Sequence, residues 1–151
     1  MLIQLAESDA QILGCFPTVV QLRPHLNADE FVDRVRRQML NGYRLAFVQD
    51  KKIQGEGEID AVPDQTIAVA GFRISECLAW GKFLYVDELV VTEQGRSQGY
   101  GQQLLQWLMD YAEQQHCEQF HLDSGVQRFE AHRFYFRQRL SITCYHFARL
   151  L

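Results

Sequence analysis

Leu89-Val90-Val91-Thr92-Glu93-Gln94-Gly95-Arg96-Ser97-Gln98-Gly99-Tyr100-Gly101 decides the fold of this chain. It opens as an apolar run with strand character and closes on two glycines. Leu104, Leu105, Leu108 and Ala112 then recur at helical spacing. A strand therefore passes through a tight turn into a strong helix. Backbone N–H groups in the first helical turn have no partner inside the helix, and the aligned peptide dipoles place partial positive charge there. Glycines let a bulky anion approach that backbone, and a diphosphate is the natural ligand. Two other phosphate motifs fail on the residues. A P-loop needs Gly-Lys-Ser/Thr, and a dinucleotide fingerprint needs a third glycine where Leu104 stands. A turn without a ligand is the bland alternative.

Outward from this stretch, Leu2 to Leu5 reads as a short strand. Ile12, Leu13, Phe16, Val19 and Val20 follow at helical spacing, with Pro17 expected to kink or split the helix. Asn27 caps a second helix, with Glu30 three residues on, and Asn41-Gly42 ends it. Tyr43 to Gln49, Thr66 to Ser75 and Phe83 to Thr92 read as strands, the first two joined by a polar hairpin loop, Asp50 to Gln65. Gly101 to Cys117 is a helix, Gln119 to Asp123 a strand, Phe129 to Arg139 a helix and Ile142 to Phe147 a last strand. The order predicts an α/β fold with a mixed, mostly antiparallel sheet and helices on both faces.

The 151 residues fit a single domain spanning 1–151, with ordinary hydrophobic (47%) and charged (23%) fractions. The net charge of -4 argues against a nucleic-acid partner and is compatible with a cationic acceptor. Cys15, Cys77, Cys117 and Cys144 form no C-x-x-C pair and read as buried free thiols. No apolar run approaches the roughly 20 residues of a membrane span. Met1-Leu2-Ile3-Gln4 does not open a secretory signal, so the cytoplasm is expected and no membrane partner.

Arg/Gln-x-x-Gly-x-Gly, after Leu-Val-Val and before a helix with Leu-Leu, resembles the GNAT acetyltransferase superfamily, and the order of elements matches along nearly the whole chain. The resemblance implies an acetyl-CoA-dependent N-acetyltransferase whose sheet is splayed between strands four and five to admit the donor. It implies that Leu89, Val90 and Val91 line the pantetheine arm, and that Arg96, Ser97, Gln98, Gly99, Tyr100, Gly101 and Gln102 hold the pyrophosphate. Ala131-His132-Arg133-Phe134-Tyr135 resembles the family's Asn-x-x-Ala-x-x-Leu/Phe-Tyr helix, which places Tyr135 at the CoA sulfur. Two positions depart from the pattern: Arg128 stands where Asn is frequent, and Arg139-Leu140 where Gly-Phe is usual.

Transfer of an acyl group from a thioester to an amine needs a base for the ammonium, a donor to the developing oxyanion, and help for the departing thiolate. Phe83-Leu84-Tyr85-Val86-Asp87-Glu88-Leu89 supplies the candidates for base. Strict alternation puts Tyr85, Asp87, Leu89 and Val91 on one face and Val86, Glu88 and Val90 on the other. The resemblance turns Tyr85 and Asp87 toward the acceptor, and the stretch is similar to the equivalent strand of polyamine acetyltransferases. Asp87 is the first choice as base, acting directly or through water or else binding the ammonium. Glu88 is second, since a bulge swaps faces. His121, His132 and His146 read as structural, and no histidine spacing suggests zinc, so no metal is expected.

The expected function is acetyl transfer from acetyl-CoA to a primary amine of a small molecule or peptide, by direct attack in a ternary complex. A non-catalytic acyl-CoA-binding or regulatory domain of the same fold is the alternative, and a partner-binding module without cofactor a third. The acceptor, a longer acyl donor and the oligomeric state, a homodimer included, are left open.

Overall fold

A computed structural model describes residues 2–49 and 66–151. The hairpin loop assigned to Asp50 to Gln65 lies outside the described residues. The chain divides into two compact units, Met1–His121 and Leu122–Leu151. The elements run β1 (Leu2–Leu5), α1 (Asp9–Val19), α2 (Ala28–Met39), β2 (Tyr43–Gln49), β3 (Thr66–Cys77), β4 (Gly81–Val91), α3 (Tyr100–Gln114), β5 (Gln119–Leu122) and α4 (Phe129–Arg137), with a short 3-10 turn at Glu93–Gly95 before α3.

The first unit is built on one mixed sheet in the order β1-β2-β3-β4-β5. The first four strands pair antiparallel with one another, and β5 runs parallel to β4. Side chains alternate along β3, so Val69 and Phe72 face opposite ways. Val69 joins Phe47, Leu45, Tyr43 and Val90 in a core closed by Ile12, Cys15 and Val19 of α1 and Phe31 and Val35 of α2. Phe72 packs edge-on against Trp107 and Tyr111 of α3, whose Leu104, Leu105 and Leu108 are fully buried. Each such buried aliphatic or aromatic side chain contributes roughly 1.5–3 kcal/mol. The mixed α/β sheet between helices follows the expectation.

Pro17 does not split α1, which runs unbroken through it to Val19. The proline lies in the last turn, where one ladder bond is lost, and burial of Ile12, Cys15, Thr18 and Val19 holds the helix on the sheet. Thr18 adds a buried hydroxyl bond to the Thr66 carbonyl at 2.6 Å. Asn27 caps α2 by accepting from the Asp29 N–H, but Glu30 reaches forward to Arg34 at 3.0 Å rather than back to the cap. The reciprocal capping box is at Ser8 and Gln11 of α1. Of the cysteines, Cys15 is buried and Cys144 exposed; burial pushes the Cys15 thiol up to about 12, so it is inert packing.

The second unit holds α4. The strand expected at Ile142 to Phe147 is absent: residues 140–151 form no regular element. Ile142, Tyr145 and Phe147 are exposed. Alternating apolar residues become a strand only when a sheet edge pairs with the backbone and a core takes every second side chain. Here the backbone takes no regular form and those side chains stay exposed.

Candidate active site

Two features of the first unit come from β4. Its partner residues on β3 run Gly71↔Glu88 and then Phe72↔Val86, so Asp87 is an extra residue on β4. This bulge breaks strict alternation. Tyr85 stands opposite Arg73. Arg73 Nε donates to Asp87 Oδ2 at 2.8 Å, which keeps Asp87 on the α1/α2 face. Glu88, one residue on, points to the same face, where the Tyr43 hydroxyl donates to its Oε2 at 2.8 Å. The expected separation of the two carboxylates onto opposite faces is therefore corrected. The same bulge moves Leu89 and Val91, opposite Ala70 and Ala68, onto the α3 face, and turns Val90 into the α1/α2 core.

Arg23, in the α1–α2 connection, is held at the bulge. Its Nε donates to Glu88 Oε1 at 3.2 Å, and its Nη2 donates to the Asp87 backbone carbonyl at 2.9 Å. Arg73 carries its guanidinium 5.6 Å from the centre of the Tyr43 ring. Gly71 makes the arrangement possible, since a Cβ there would collide with the Tyr43 hydroxyl and the Glu88 carboxylate. Glu88 is mostly buried, with 14% of its side chain exposed. Burial raises its pKa above the ordinary 4.5, against the lowering effects of the Tyr43 hydrogen bond and the Arg23 charge. Burial first, and then the Glu88 charge, push the Tyr43 phenol well above its usual 10, so it remains a donor.

Glu88 and Tyr43 line a cleft of about 390 Å³ whose other walls include Val19, Leu26, Phe31 and Val35. Asp87 is not among its lining residues. Sequence reasoning missed Tyr43, Arg23, Arg73 and Gly71. Only Gly71 left a local signal, an isolated glycine inside a strand, which marks close approach of another group.

The second feature is the exit from β4. β5 enters beside Lys82, where the Glu118 N–H donates to the Lys82 carbonyl at 2.7 Å. It is four residues long, so it runs out before the Glu88–Val91 end of the eleven-residue β4. From there Thr92 caps the 3-10 turn, accepting from the Gly95 N–H at 3.3 Å. Ser97 and Gly99 adopt left-handed backbone with φ 62° and 85°. α3 then begins at Tyr100 with Gly99 as its cap and no side-chain capping bond. The first ladder bond runs from the Gln103 N–H to the Gly99 carbonyl. N–H groups ahead of it on this fifteen-residue helix have no ladder partner, the kind of backbone end that suits an anion. Arg96, Ser97, Gln98 and Gln102 are exposed around it, with Gly101 half-buried, and Gln98 Nε2 is tied back to the Gln94 carbonyl. These residues fit a diphosphate held chiefly by backbone.

The family described as Acetyltransferase (GNAT) family matches residues 23–140. The chain belongs to the GNAT acetyltransferase family. Among curated proteins it is 28% identical over 120 residues to the uncharacterized N-acetyltransferase YhdJ of Bacillus subtilis (strain 168), covering 80% of this chain and 77% of that one. It is 36% identical over 66 residues to the aminoalkylphosphonate N-acetyltransferase of Salmonella typhimurium, covering 44% and 43%. An acetyltransferase of Trypanosoma brucei shares the fold at TM-score 0.78 with 15% identity over 99% of both chains. Glucosamine-6-phosphate N-acetyltransferase of Arabidopsis thaliana does so at 0.74 with 19% identity, over 99% of this chain and 97% of that one.

In the second unit of this GNAT chain, Tyr135 lies on α4 with its pKa raised above 10 by burial, Arg128 opposing, so the phenol is protonated at neutral pH. Arg139, where glycine is usual, takes left-handed backbone at φ 64°. Its N–H donates to the Phe136 carbonyl and that of Leu140 to the Tyr135 carbonyl, which closes α4 as a glycine would. Of the histidines, His121 stacks on Trp80 at 3.8 Å, His132 meets the Gly125 carbonyl, and His146 pairs with Asp123. Among the described residues no group of three or more His, Cys, Asp or Glu could hold a metal ion, and no helix is long and apolar enough to cross a membrane.

Proposed function

We propose that this GNAT acetyltransferase moves the acetyl group of acetyl-CoA to a primary amine, with Glu88 receiving the amine proton. The observation that carries the proposal is Glu88 itself: a mostly buried carboxylate with a raised pKa, lining a cleft and oriented by Tyr43 and Arg23. A base works best with a pKa near the working pH, and Glu88 is moved in that direction while Asp87 is engaged by Arg73. Asp87, preferred on sequence grounds, then serves to hold the bulge with Arg73.

The uncapped start of α3 and the turn 96–102 bind the donor's diphosphate, and Leu89 to Val91 its pantetheine arm. The amine nitrogen attacks the thioester carbonyl carbon directly, the C–S bond breaks, and the amine proton passes to Glu88, directly or through one water. The resemblance gives Tyr135 the departing thiolate, and its protonated phenol suits that role. The amine acceptor of the Salmonella typhimurium relative supports a small-molecule acceptor here.

Release of CoA thiol from acetyl-CoA, followed with and without amines, tests the proposal. Amine-dependent release with an N-acetylated product of the expected mass supports it. Binding of CoA without amine-dependent release from any amine class would leave a non-catalytic acyl-CoA-binding domain.

A further inference from the structure

The cleft over Glu88 is basic. Arg23, Arg34, Arg37 and His25 line it together with one carboxylate, Glu88. The chain as a whole carries a net charge of -4, so the lining of the cleft is opposite in sign to the chain's total, and a cleft lined by one sign of charge concentrates its field. α2 builds the reversal. Phe31 and Val35 are buried and fix which side of the helix faces the sheet. Arg34, one turn after Phe31, and Arg37 one turn later are thereby carried along the cleft's edge. Arg23 is engaged by Glu88 and the Asp87 carbonyl. Among the described residues Arg34 holds only the exposed Glu30, a pair that exchanges at little cost. Arg37 makes no hydrogen bond or ion pair among the described residues.

A carboxylate at the floor and arginines at the edge match a small molecule with an amine at one end and an oxyanion at the other. We infer that the acceptor is a small zwitterionic amine whose oxyanion, a carboxylate or a phosphonate or phosphate, is held by Arg37 and Arg34 while its amine reaches Glu88. Guanidinium groups suit this task because their planar forks bind such oxyanions in pairs of hydrogen bonds. A polyamine would set its second ammonium against the same arginines, like charge against like. The inference rests on the cleft being the acceptor site of the proposed acetyl transfer.

The test compares kcat/KM for 2-aminoethylphosphonate, β-alanine, propylamine and putrescine with acetyl-CoA as donor. One oxyanion-bearing acceptor is expected to exceed propylamine and putrescine by at least about tenfold, and the phosphonate and carboxylate arms identify which oxyanion is read. Arg37→Ala should shrink that preference about tenfold, and Arg37→Glu should turn it toward putrescine, with circular dichroism confirming that both variants fold. Putrescine or propylamine used as well as the oxyanion acceptors, or a preference intact in both Arg37 variants, overturns the inference while acetyl transfer itself stands. No turnover with any amine overturns both.

Discussion

The Tyr43 hydroxyl and the Glu88 carboxylate meet at 2.8 Å directly above Gly71, although 45 residues separate them in the chain. The hydrogen bond stabilises the ionised form of Glu88 against its burial. Tyr43→Phe should therefore raise the Glu88 pKa further. If Glu88 acts as the proposed base it must be ionised, so activity then rises with pH through that pKa. The acid limb of the kcat/KM profile should lie above the ordinary 4.5 in the wild type and move to higher pH in Tyr43→Phe. An unmoved limb would detach Tyr43 from the titrating group.

Gly71→Ala tests the same contact from beneath. The new methyl would strike both the Tyr43 hydroxyl and the Glu88 carboxylate. Forced overpacking at a buried site costs roughly 1–3 kcal/mol, and the displaced carboxylate should lose activity as well. Urea denaturation and turnover measured together check this. A stable, fully active variant would show that the close approach is unimportant.

The strand–turn–helix from Leu89 to Gly101 was legible because its glycines and apolar spacing are local signals, and they carried the fold with them. The two carboxylates of β4 were legible as residues but not as an arrangement. Alternation predicts opposite faces, and the bulge at Asp87 that unites them depends on pairing with Gly71 and Phe72 of another strand. Tyr43 and Arg23 escaped notice for the same reason, since they meet Glu88 across 45 and 65 residues. Ile142 to Phe147 failed in the other direction: its pattern is strand-like, but it takes no regular form among the described residues.

Gly99→Asp places a carboxylate on the left-handed cap of α3, beside N–H groups that have no ladder partner. Negative charge there opposes a bound diphosphate. The substitution should reduce acetyl-CoA binding at least about a hundredfold, the effect of losing several charge-assisted hydrogen bonds. Calorimetry on the folded variant checks it, and unchanged affinity would move the donor site elsewhere.

Arg139 carries the left-handed conformation that closes α4. A non-glycine residue there costs roughly 1–2 kcal/mol, partly offset because glycine is more flexible when unfolded. Arg139→Gly should therefore stabilise the protein by several tenths up to about 1 kcal/mol. Thermal denaturation measures it, and a lowered midpoint would point to a role for the arginine side chain itself.

Glu88 is proposed as the base in an acetyl transfer to an amine. Steady-state turnover of Glu88→Gln beside Asp87→Asn, with acetyl-CoA saturating and chemistry limiting the rate, tests it most directly. kcat should fall by roughly 10²–10⁴ for Glu88→Gln and by less for Asp87→Asn, with acetyl-CoA affinity retained in both. A Glu88→Gln enzyme as fast as wild type would contradict it.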